Sequence, residues 1–254
     1  MADITTVEAA RRALGPVGAF LPFSSAAAAS MDAQREAVRQ LEAAGYRAAW
    51  TNEGVGGKDA LVQLAVLLAA TERMTFGTGI ANIWARSPQT AHGASTVLAD
   101  AYPGRIVLGL GVGYPAQAAS AGRDFGKPLS TMREYLERMS APTQMPALDA
   151  QYVRIVGANG PKMQALARDS ADGAMPAMVT PSATAQAREI LGPDKLLVVL
   201  VRMDIDSGEA AALAREHLDA GADHVPLTLP PGTDFADGVE QLLRVAPTVR
   251  GLAG

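Results

Sequence analysis

The feature of this sequence that most constrains its fold is a regular alternation of strand-like and helix-like stretches along almost the whole chain. Short apolar runs, typical of buried strands, are each followed by a longer stretch with helical spacing. The predicted strands are residues 17–21, 48–51, 75–80, 106–110, 152–156, 173–175, 196–201 and 224–227. The predicted helices are residues 31–44, 59–70, 88–101, 129–139, 161–170, 181–191, 209–220 and 235–245. This alternation, with short connections, predicts a parallel sheet.

Eight strand–helix units is the number that closes a (β/α)8 barrel, or TIM barrel, and this α/β fold is the predicted one. An open doubly wound sheet is the alternative, because it is built from the same units. No linker divides the chain, so residues 1–254 are predicted to form one domain. The longest irregular pieces are residues 114–127 and 141–150. With 48% hydrophobic and 19% charged residues, the chain can fill a large core.

Charge and composition exclude several classes of partner. The net charge of −4 provides no basic footprint for nucleic acid or an anionic membrane. The chain has no cysteine, which excludes disulfides and thiolate metal sites. The first 15 residues have a helical pattern without the apolar core of a signal peptide. We therefore expect a cytoplasmic protein that binds neither membranes nor nucleic acid.

In a (β/α)8 barrel, function is located on the loops that follow the carboxyl ends of the strands. The three histidines do not form a metal site there, because two fall within predicted helices and His224 opens the last strand. None of the four lysines lies inside a predicted strand, where a Schiff-base enzyme needs one. Among the acids on these loops Glu53 stands nearly alone, with Asp204 and Asp206 far round the ring. A neutral, glycine-rich rim indicates that a bound cofactor supplies the difficult chemistry.

Residues 76–113 contain the densest set of functional signals. The strand at 75–80 is interrupted by Gly77 and Gly79, which suggests close approach of another backbone or a ligand. Ser87 and Pro88 are typical of a helix start, as the N-cap and the first helical residue. The strand at 106–110 leads into three alternating glycines, at positions 109, 111 and 113. Two strand ends without side chains predict a smooth-walled gap in which a flat ligand lies.

A second signal is the turn at residues 159–163, Asn-Gly-Pro-Lys-Met. Gly160 is predicted to cap a helix whose first residue is Pro161, which leaves the N–H groups of Lys162 and Met163 unbonded. Free donors and the helix dipole favour a phosphate at such a terminus. An ordinary strand-to-helix turn is the alternative. The glycine-rich stretch at residues 109–114 is not a dinucleotide-binding fingerprint, because Tyr114 stands where that motif needs its third glycine.

Four segments together resemble the luciferase-like superfamily of flavin and deazaflavin oxidoreductases, and most closely its branch that uses coenzyme F420. They read, in order, GTGIANIWARSP, YPGRIVLGLGVG, GANGPKM and ADGAMPAMVTP. The resemblance extends from about residue 15 to residue 225. It implies a (β/α)8 barrel that holds the tricyclic ring at the carboxyl-terminal mouth.

The resemblance also implies a set of site residues. The peptide bond between Gly79 and Ile80 corresponds to a non-prolyl cis bond behind the central ring, and Asn82 to a polar residue that touches the cofactor. The full set of implied cofactor-binding residues is Gly79, Ile80, Ala81, Asn82, Gly111, Val112, Gly113, Asn159, Gly160, Pro161, Lys162 and Met163. Basic groups usually meet the phosphate and glutamyl tail in these relatives, and the candidates here are Lys58, Arg86 and Lys162.

The sequence departs from the F420-dependent sugar-phosphate dehydrogenases at two catalytic positions. Those enzymes place a histidine after the strand-two acid and a glutamate after the strand-four glycines, where this chain has Gly54 and Tyr114. Glu53 and Tyr114 remain the candidate catalytic residues. Capping of the following glycine-rich turn is the alternative role for Glu53. Trp84 and Tyr114 are predicted to stack on the ring or line the substrate pocket, and the alternative is that they plug the barrel mouth.

The resulting prediction is an F420-dependent oxidoreductase that passes hydride between the deazaflavin C5 and a small organic substrate. One alternative is an FMN-dependent monooxygenase of the same fold. Another is a cofactor-binding protein with little catalysis, because the acid/base pair is missing and residues 126–151 are short for the superfamily. Family relatives are often dimers, which leaves a homodimer open. His224, at the closed end of the barrel, is predicted to be structural.

Overall fold

The computed structural model describes residues 4–22, 29–203 and 207–253, and all strands in this part of the chain are parallel. The strands are β1 (Val17–Phe20), β2 (Ala48–Thr51), β3 (Thr75–Thr78), β4 (Ala81–Asn82), β5 (Ile106–Gly111), β6 (Val153–Gly157), β7 (Gly173–Met175), β8 (Leu196–Leu197), β9 (Val201–Arg202) and β10 (Val225–Thr228). The helices are α1 (Ile4–Leu14), α2 (Met31–Ala43), α3 (Ala60–Ala69), α4 (Pro88–Ala101), α5 (Pro115–Ser120), α6 (Pro128–Met139), α7 (Pro161–Ser170), α8 (Pro181–Leu191), α9 (Ser207–Asp219) and α10 (Phe235–Arg250). A short 3-10 turn, Gly251–Ala253, follows the last helix.

The strands form a barrel rather than the open sheet that was the alternative. Their order is β8-β7-β6-β5-β3-β2-β1-β10-β9, and β4 pairs with β5. The two ends of this path, β8 and β9, belong to one continuous segment, and Val198 between them bridges His224 next to β10. The ring is therefore closed. With β3 and β4 counted as one interrupted strand, and β8 and β9 as another, it has the eight predicted strands.

Helix starts lie where local sequence signals placed them. Ser87 caps α4 by accepting from the Thr90 N–H at 3.2 Å, and Thr180 caps α8 in the same way. A proline occupies the first turn of α4, α7 and α8, where its missing N–H has no helical partner to lose. Among the helices, the largest departures from prediction are that α10 continues to Arg250 and that the irregular residues 114–127 contain α5.

Two apolar cores follow from the alternation of side chains along the strands. One lies between the strands and the surrounding helices, and the other fills the barrel interior. Helix α1 closes the amino-terminal end of the barrel, where Val7, Ala10 and Leu14 join the interior core. Helix packing over this end leaves the carboxyl-terminal end of the strands, here called the mouth, as the open side.

His224 is fully buried at the closed end, as its predicted structural role requires. The Trp50 indole N–H donates to His224 Nε2 at 2.9 Å, and His224 Nδ1 lies 2.6 Å from the Gly15 carbonyl oxygen. A neutral imidazole with its proton on Nδ1 satisfies both contacts. Burial lowers the pKa of His224 to about 4, so this neutral form is the folded one at neutral pH.

Within the described residues, no helix combines the length and apolar character that a membrane crossing requires.

Candidate functional site

The centre of the mouth is a break between β3 and β4 at Gly79 and Ile80. The peptide bond joining these two residues is cis, which confirms the geometry that the family resemblance implied. Two backbone hydrogen bonds attach the break to β2 and to the loop that follows it. The Gly79 N–H donates to the Thr51 carbonyl at 2.7 Å, and the Ile80 carbonyl accepts from the Glu53 N–H at 3.1 Å. The break is therefore an integral part of the sheet.

The Ile80 side chain forms an apolar floor at the mouth, above the interior core. A Cβ added to Gly111 would lie 2.4 Å from Ile80 Cδ1, and one added to Gly157 would lie 3.3 Å from Ile80 Cγ2. Ile80 is only partly buried, so one face of its side chain remains accessible. The backbone of Gly79 and the side chain of Ile80, here called the platform, offer a ligand a flat contact surface.

The predicted smooth-walled gap between glycine-lined strand ends is wrong in its detail. A Cβ on Gly77 would lie 2.3 Å from the Trp50 ring, and one on Gly109 would lie 2.0 Å from the Thr78 carbonyl oxygen. These glycines make room for other parts of the protein, because a strand with side chains there would not fit. The platform, rather than an empty glycine-lined slot, is the flat element of the mouth.

Asn82 provides a polar group beside the platform. Its side chain is buried, and its Oδ1 accepts from the Trp84 N–H at 3.0 Å. Its Nδ2 has no hydrogen-bond partner in the described part of the chain. A Cβ on Gly113 would lie 2.7 Å from this nitrogen, so only glycine leaves room beside it. An unpaired buried donor costs roughly 1–3 kcal/mol, which a ligand acceptor would offset.

Glu53 is held in a structural network rather than presented to the mouth. Its carboxylate accepts from the backbone N–H groups of Ala60 at 2.9 Å and Asn82 at 2.8 Å. It also forms a bidentate ion pair with Arg86, and its side chain is only 1% exposed. Glu53 therefore joins the start of α3, the strand β4 and the loop before α4. This arrangement favours the alternative role, capping, over proton transfer.

Arg86 is not available to a phosphate or glutamyl tail, and its candidacy for that role is wrong. Its side chain is 8% exposed and pairs with both Glu53 and Asp59, the latter at 2.7 Å. Burial acts to lower the pKa of Arg86, but the two carboxylates raise it above its ordinary value. The guanidinium is therefore charged and already neutralised by protein groups.

Replacing Glu53 by glutamine tests this structural assignment. We expect Glu53→Gln to lower the free energy of unfolding by about 2 kcal/mol, because Arg86 stays buried with Asp59 as its remaining partner. Urea denaturation provides the measurement. Asp59→Asn is the matched control, since the Asp59 side chain is 46% exposed and its loss is worth less than about 1 kcal/mol. Equal, small changes in both variants would contradict the assignment.

The two rim aromatics have different environments. The Trp84 indole N–H donates to the Val112 carbonyl at 2.7 Å, and its ring centroid lies 5.9 Å from that of Phe125. Trp84 is thus anchored under the loop that follows β5. Tyr114 is 74% exposed, and its backbone N–H donates to the Gln117 side chain at 2.9 Å. Its hydroxyl remains a candidate for contact with substrate.

The loop between β6 and α7 forms the wall predicted to bind phosphate. Gly160, Pro161 and Lys162 are exposed, and a Cβ on Gly160 would meet no atom within 4 Å. The Met163 N–H donates to the Gly160 carbonyl at 3.1 Å, so the prediction that it is unbonded is wrong. The Lys162 N–H has no acceptor among the described residues. One free backbone donor therefore remains at this terminus.

Asn159 stiffens this wall by joining two neighbouring loops. Its Oδ1 accepts from the Ala177 N–H, on the loop after β7, at 2.8 Å. On that loop Met178 is 52% exposed and has a φ of 55°, which is unusual for a residue with a side chain. No local sequence motif predicts such a backbone conformation at Met178.

Lys58 lies away from this wall. Strands β3 and β5 separate β2, whose following loop carries Lys58, from β6. Lys58 Nζ donates to Thr51 Oγ1 at 3.2 Å, and burial lowers its pKa. Of the three basic candidates, only the exposed Lys162 stands beside the α7 terminus. The rim acids Asp204 and Asp206 lie outside the described residues.

Fold and site together define a (β/α)8 barrel protein with an accessible platform at the carboxyl-terminal ends of its strands. Residues 16–191 match the luciferase-like monooxygenase family, and the chain belongs to that family.

Individual relatives agree with this membership. A Mycobacterium tuberculosis protein assigned to the coenzyme F420-dependent oxidoreductases is 31% identical over 178 residues, 58% of this chain and 51% of that protein. The chain thus spans about half the length of this curated relative. An F420-dependent secondary alcohol dehydrogenase, solved with an F420–acetone adduct, superposes with a TM-score of 0.73 at 16% identity. That superposition covers 93% of this chain and 99% of the dehydrogenase.

A flavin enzyme shares the fold as well. The oxygenating constituent of 3,6-diketocamphane monooxygenase from Pseudomonas putida, solved with FMN, superposes with a TM-score of 0.62 at 16% identity. The superposition covers 94% of this chain and 78% of that one.

Proposed function

We propose that this protein is a coenzyme F420-dependent oxidoreductase acting on a small organic substrate. The observation that carries the proposal is the platform of Gly79 and Ile80, with the unpaired amide nitrogen of Asn82 beside it. A flat apolar surface with one adjacent donor suits a planar heterocycle that carries acceptor atoms. The M. tuberculosis relative supports the choice of F420, since it is assigned to enzymes that use this coenzyme.

The residues present fit the proposed cofactor at three positions. Gly79 and Ile80 would back the ring, and Asn82 Nδ2 would donate to it. The exposed turn at Gly160, with the free N–H of Lys162 at the start of α7, would hold the phosphate. Bound F420 supplies hydride transfer at C5. The protein's part is to bind and orient the two reactants and to exclude water between them.

The two candidate catalytic residues, Glu53 and Tyr114, have different roles in this proposal. Glu53 acts as a positioning residue, because its carboxylate is used by Arg86 and two backbone donors. Tyr114 is the candidate to touch substrate, because its side chain is exposed on the loop after β5. The proposal retains the cytoplasmic location and leaves the homodimer open, which light scattering of the purified protein tests.

The cofactor itself is tested by titrating the purified protein with F420 and, separately, with FMN. We expect F420 to bind with a Kd in the micromolar range or tighter. We expect the Kd of FMN to be higher by about tenfold or more. Quenching or polarisation of cofactor fluorescence reports both affinities. Tighter binding of FMN would favour the monooxygenase alternative. The fold shared with the FMN-containing camphane enzyme supports that alternative.

A protein that binds F420 without catalysis is the remaining alternative. Reduced F420 that stays reduced in the presence of ketones, aldehydes and activated alkenes, although it binds tightly, would favour that role. Oxidation of the bound coenzyme with any of these substrates, followed at the deazaflavin absorbance band, would support the enzyme.

A further inference from the structure

A cavity of about 780 Å³ lies on the flank of the barrel, between α4, the end of α6 and the segment 140–152. It adjoins the amino-terminal end of β6, at Tyr152 and Arg154, whereas the phosphate-side wall of the mouth follows Gly157 at the other end of that strand. Its volume is within the range of small-molecule sites in proteins. This space, here called the flank cavity, is separate from the proposed cofactor site.

Arg154 is the main charged group that lines the flank cavity. The residue is only 6% exposed, and its side chain points outward from β6, because its neighbours Val153 and Ile155 fill the barrel interior. Its Nη2 donates to the Ser170 carbonyl at 3.1 Å, and its Nη1 lies 3.5 Å from Ser140 Oγ. Its buried Nε has no hydrogen-bond partner in the described part of the chain. A guanidinium with an unused, desolvated N–H favours an anionic acceptor.

A second polar group lines the same space. His92 Nδ1 and the Tyr152 hydroxyl lie 2.8 Å apart, and both residues line the cavity. Burial raises the pKa of Tyr152 to about 12, and burial, together with the charge of Arg154, lowers that of His92. At neutral pH both groups are uncharged, and whichever of them donates in this contact, the pair keeps one N–H or O–H donor that the contact does not use.

The remaining lining is partly apolar. Met139 lies at the end of α6, and Met145 on the lip is 82% exposed, which is unusual for a large apolar side chain. Two acids also line the cavity. Asp172 Oδ2 is used by the Arg154 backbone N–H at 2.8 Å, and Asp149 lies on the exposed lip. Because the Asp172 carboxylate is engaged by the protein and Asp149 faces solvent on the lip, the apolar surface, the buried cation and the neutral donors match an amphipathic anion.

We propose that the flank cavity binds a small organic anion, a carboxylate on an apolar body, with the carboxylate on Arg154 and the apolar part against Met139 and Met145. This inference goes beyond the proposed function and does not depend on it. The site is a second ligand position, away from the mouth.

Two matched probes test the charge requirement. 4-(Trifluoromethyl)benzoate and the neutral 4-(trifluoromethyl)benzyl alcohol are each titrated into the protein, and binding is followed by fluorine NMR line broadening. We expect the benzoate to bind more tightly than the alcohol by about tenfold or more, because only the benzoate offers an ionised acceptor for a charge-assisted hydrogen bond. Equal affinity for the two probes would overturn the proposal. So would absence of benzoate binding at about 10 mM, where a millimolar site is well filled.

Variants locate the bound probe. Arg154→Gln removes the cation, and Met145→Glu places a negative charge on the exposed lip, where no buried contact is lost. We expect both to weaken benzoate binding about tenfold or more. Val62→Glu is the control, because Val62 is 65% exposed on α3, outside the cavity lining, and should leave binding unchanged. If Arg154→Gln does not fold, unchanged binding in Met145→Glu alone overturns the proposal.

Discussion

The protein carrying Gly160→Asp is expected to lose affinity for F420 by about a hundredfold or more while keeping its fold. The new carboxylate would stand at the α7 terminus, where the proposed phosphate binds, and two anions there repel each other. The fold should tolerate the change, because a Cβ at Gly160 meets no atom within 4 Å and its φ of −109° suits any residue. Fluorescence titration measures the affinity, and circular dichroism the melting temperature.

Two further variants at the same position separate charge from bulk. Gly160→Asn has nearly the same shape as the aspartate variant without its charge, and Gly160→Ala adds only a methyl group. We expect the alanine variant to bind almost normally and the asparagine variant to lose much less affinity than the aspartate. Unchanged affinity in Gly160→Asp would show that the phosphate does not bind at this terminus, and that residues 159–163 form an ordinary strand-to-helix turn. A loss in all three variants would mean that space, rather than charge, is limiting.

Acidification from pH 6.5 to 4 is expected to destabilise the protein through His224 by about 3 kcal/mol. The imidazole has an ordinary pKa of 6.5, and burial lowers its pKa in the folded protein to about 4. Between these values the unfolded chain binds a proton that the folded protein excludes, so stability rises with pH across this window. Below pH 4 both states are protonated and the loss is complete. The contacts of His224 with Trp50 and Gly15 require the neutral ring.

Urea unfolding at intervals between pH 7 and 4 measures this effect against His224→Gln. The glutamine variant is expected to be less stable at pH 7, because it loses the paired contacts of the imidazole, and to show a shallower decline on acidification. Subtracting the two profiles removes the contribution of the carboxylates, which also titrate toward pH 4. Parallel profiles would show that protonation of His224 does not cause the loss of stability at low pH.

Much of the fold could be predicted because its signals are local. Proline has no N–H and a fixed φ, so it fits the first turn of a helix and is disfavoured further inside, and α4, α7 and α8 begin at the predicted prolines. The short helix α5 was missed, since six residues provide too little periodicity to detect. The predicted third strand is interrupted at Gly79 and Ile80, and the predicted seventh strand is interrupted at residues 198–200.

The candidate site was predicted less completely than the fold. The family resemblance placed the Gly79–Ile80 platform, and the structure confirms its cis geometry. The same resemblance named Arg86 as a possible anion ligand, but its actual partner is Glu53, 33 positions earlier in the chain. No periodicity or motif links two residues at that separation. The unpaired amide nitrogen of Asn82 was equally hidden, because an absent partner is a property of the whole surrounding shell.

The sequence by itself determined the alternation of strands and helices, the helix starts and the positions where a side chain is not tolerated. These follow from torsional preferences and from hydrogen bonds that span a few residues. Only the tertiary structure decided what fills the space at those positions, as with the Trp50 ring at Gly77 and the Thr78 carbonyl at Gly109. The reason is that such contacts depend on strand register and barrel closure. These bring together residues that are about 30 positions apart in the sequence, such as Arg86 with Asp59 and Glu53, at separations of 27 and 33. Whether a side chain is available for catalysis also depends on the tertiary structure, because a residue distant in sequence can already engage its polar atoms.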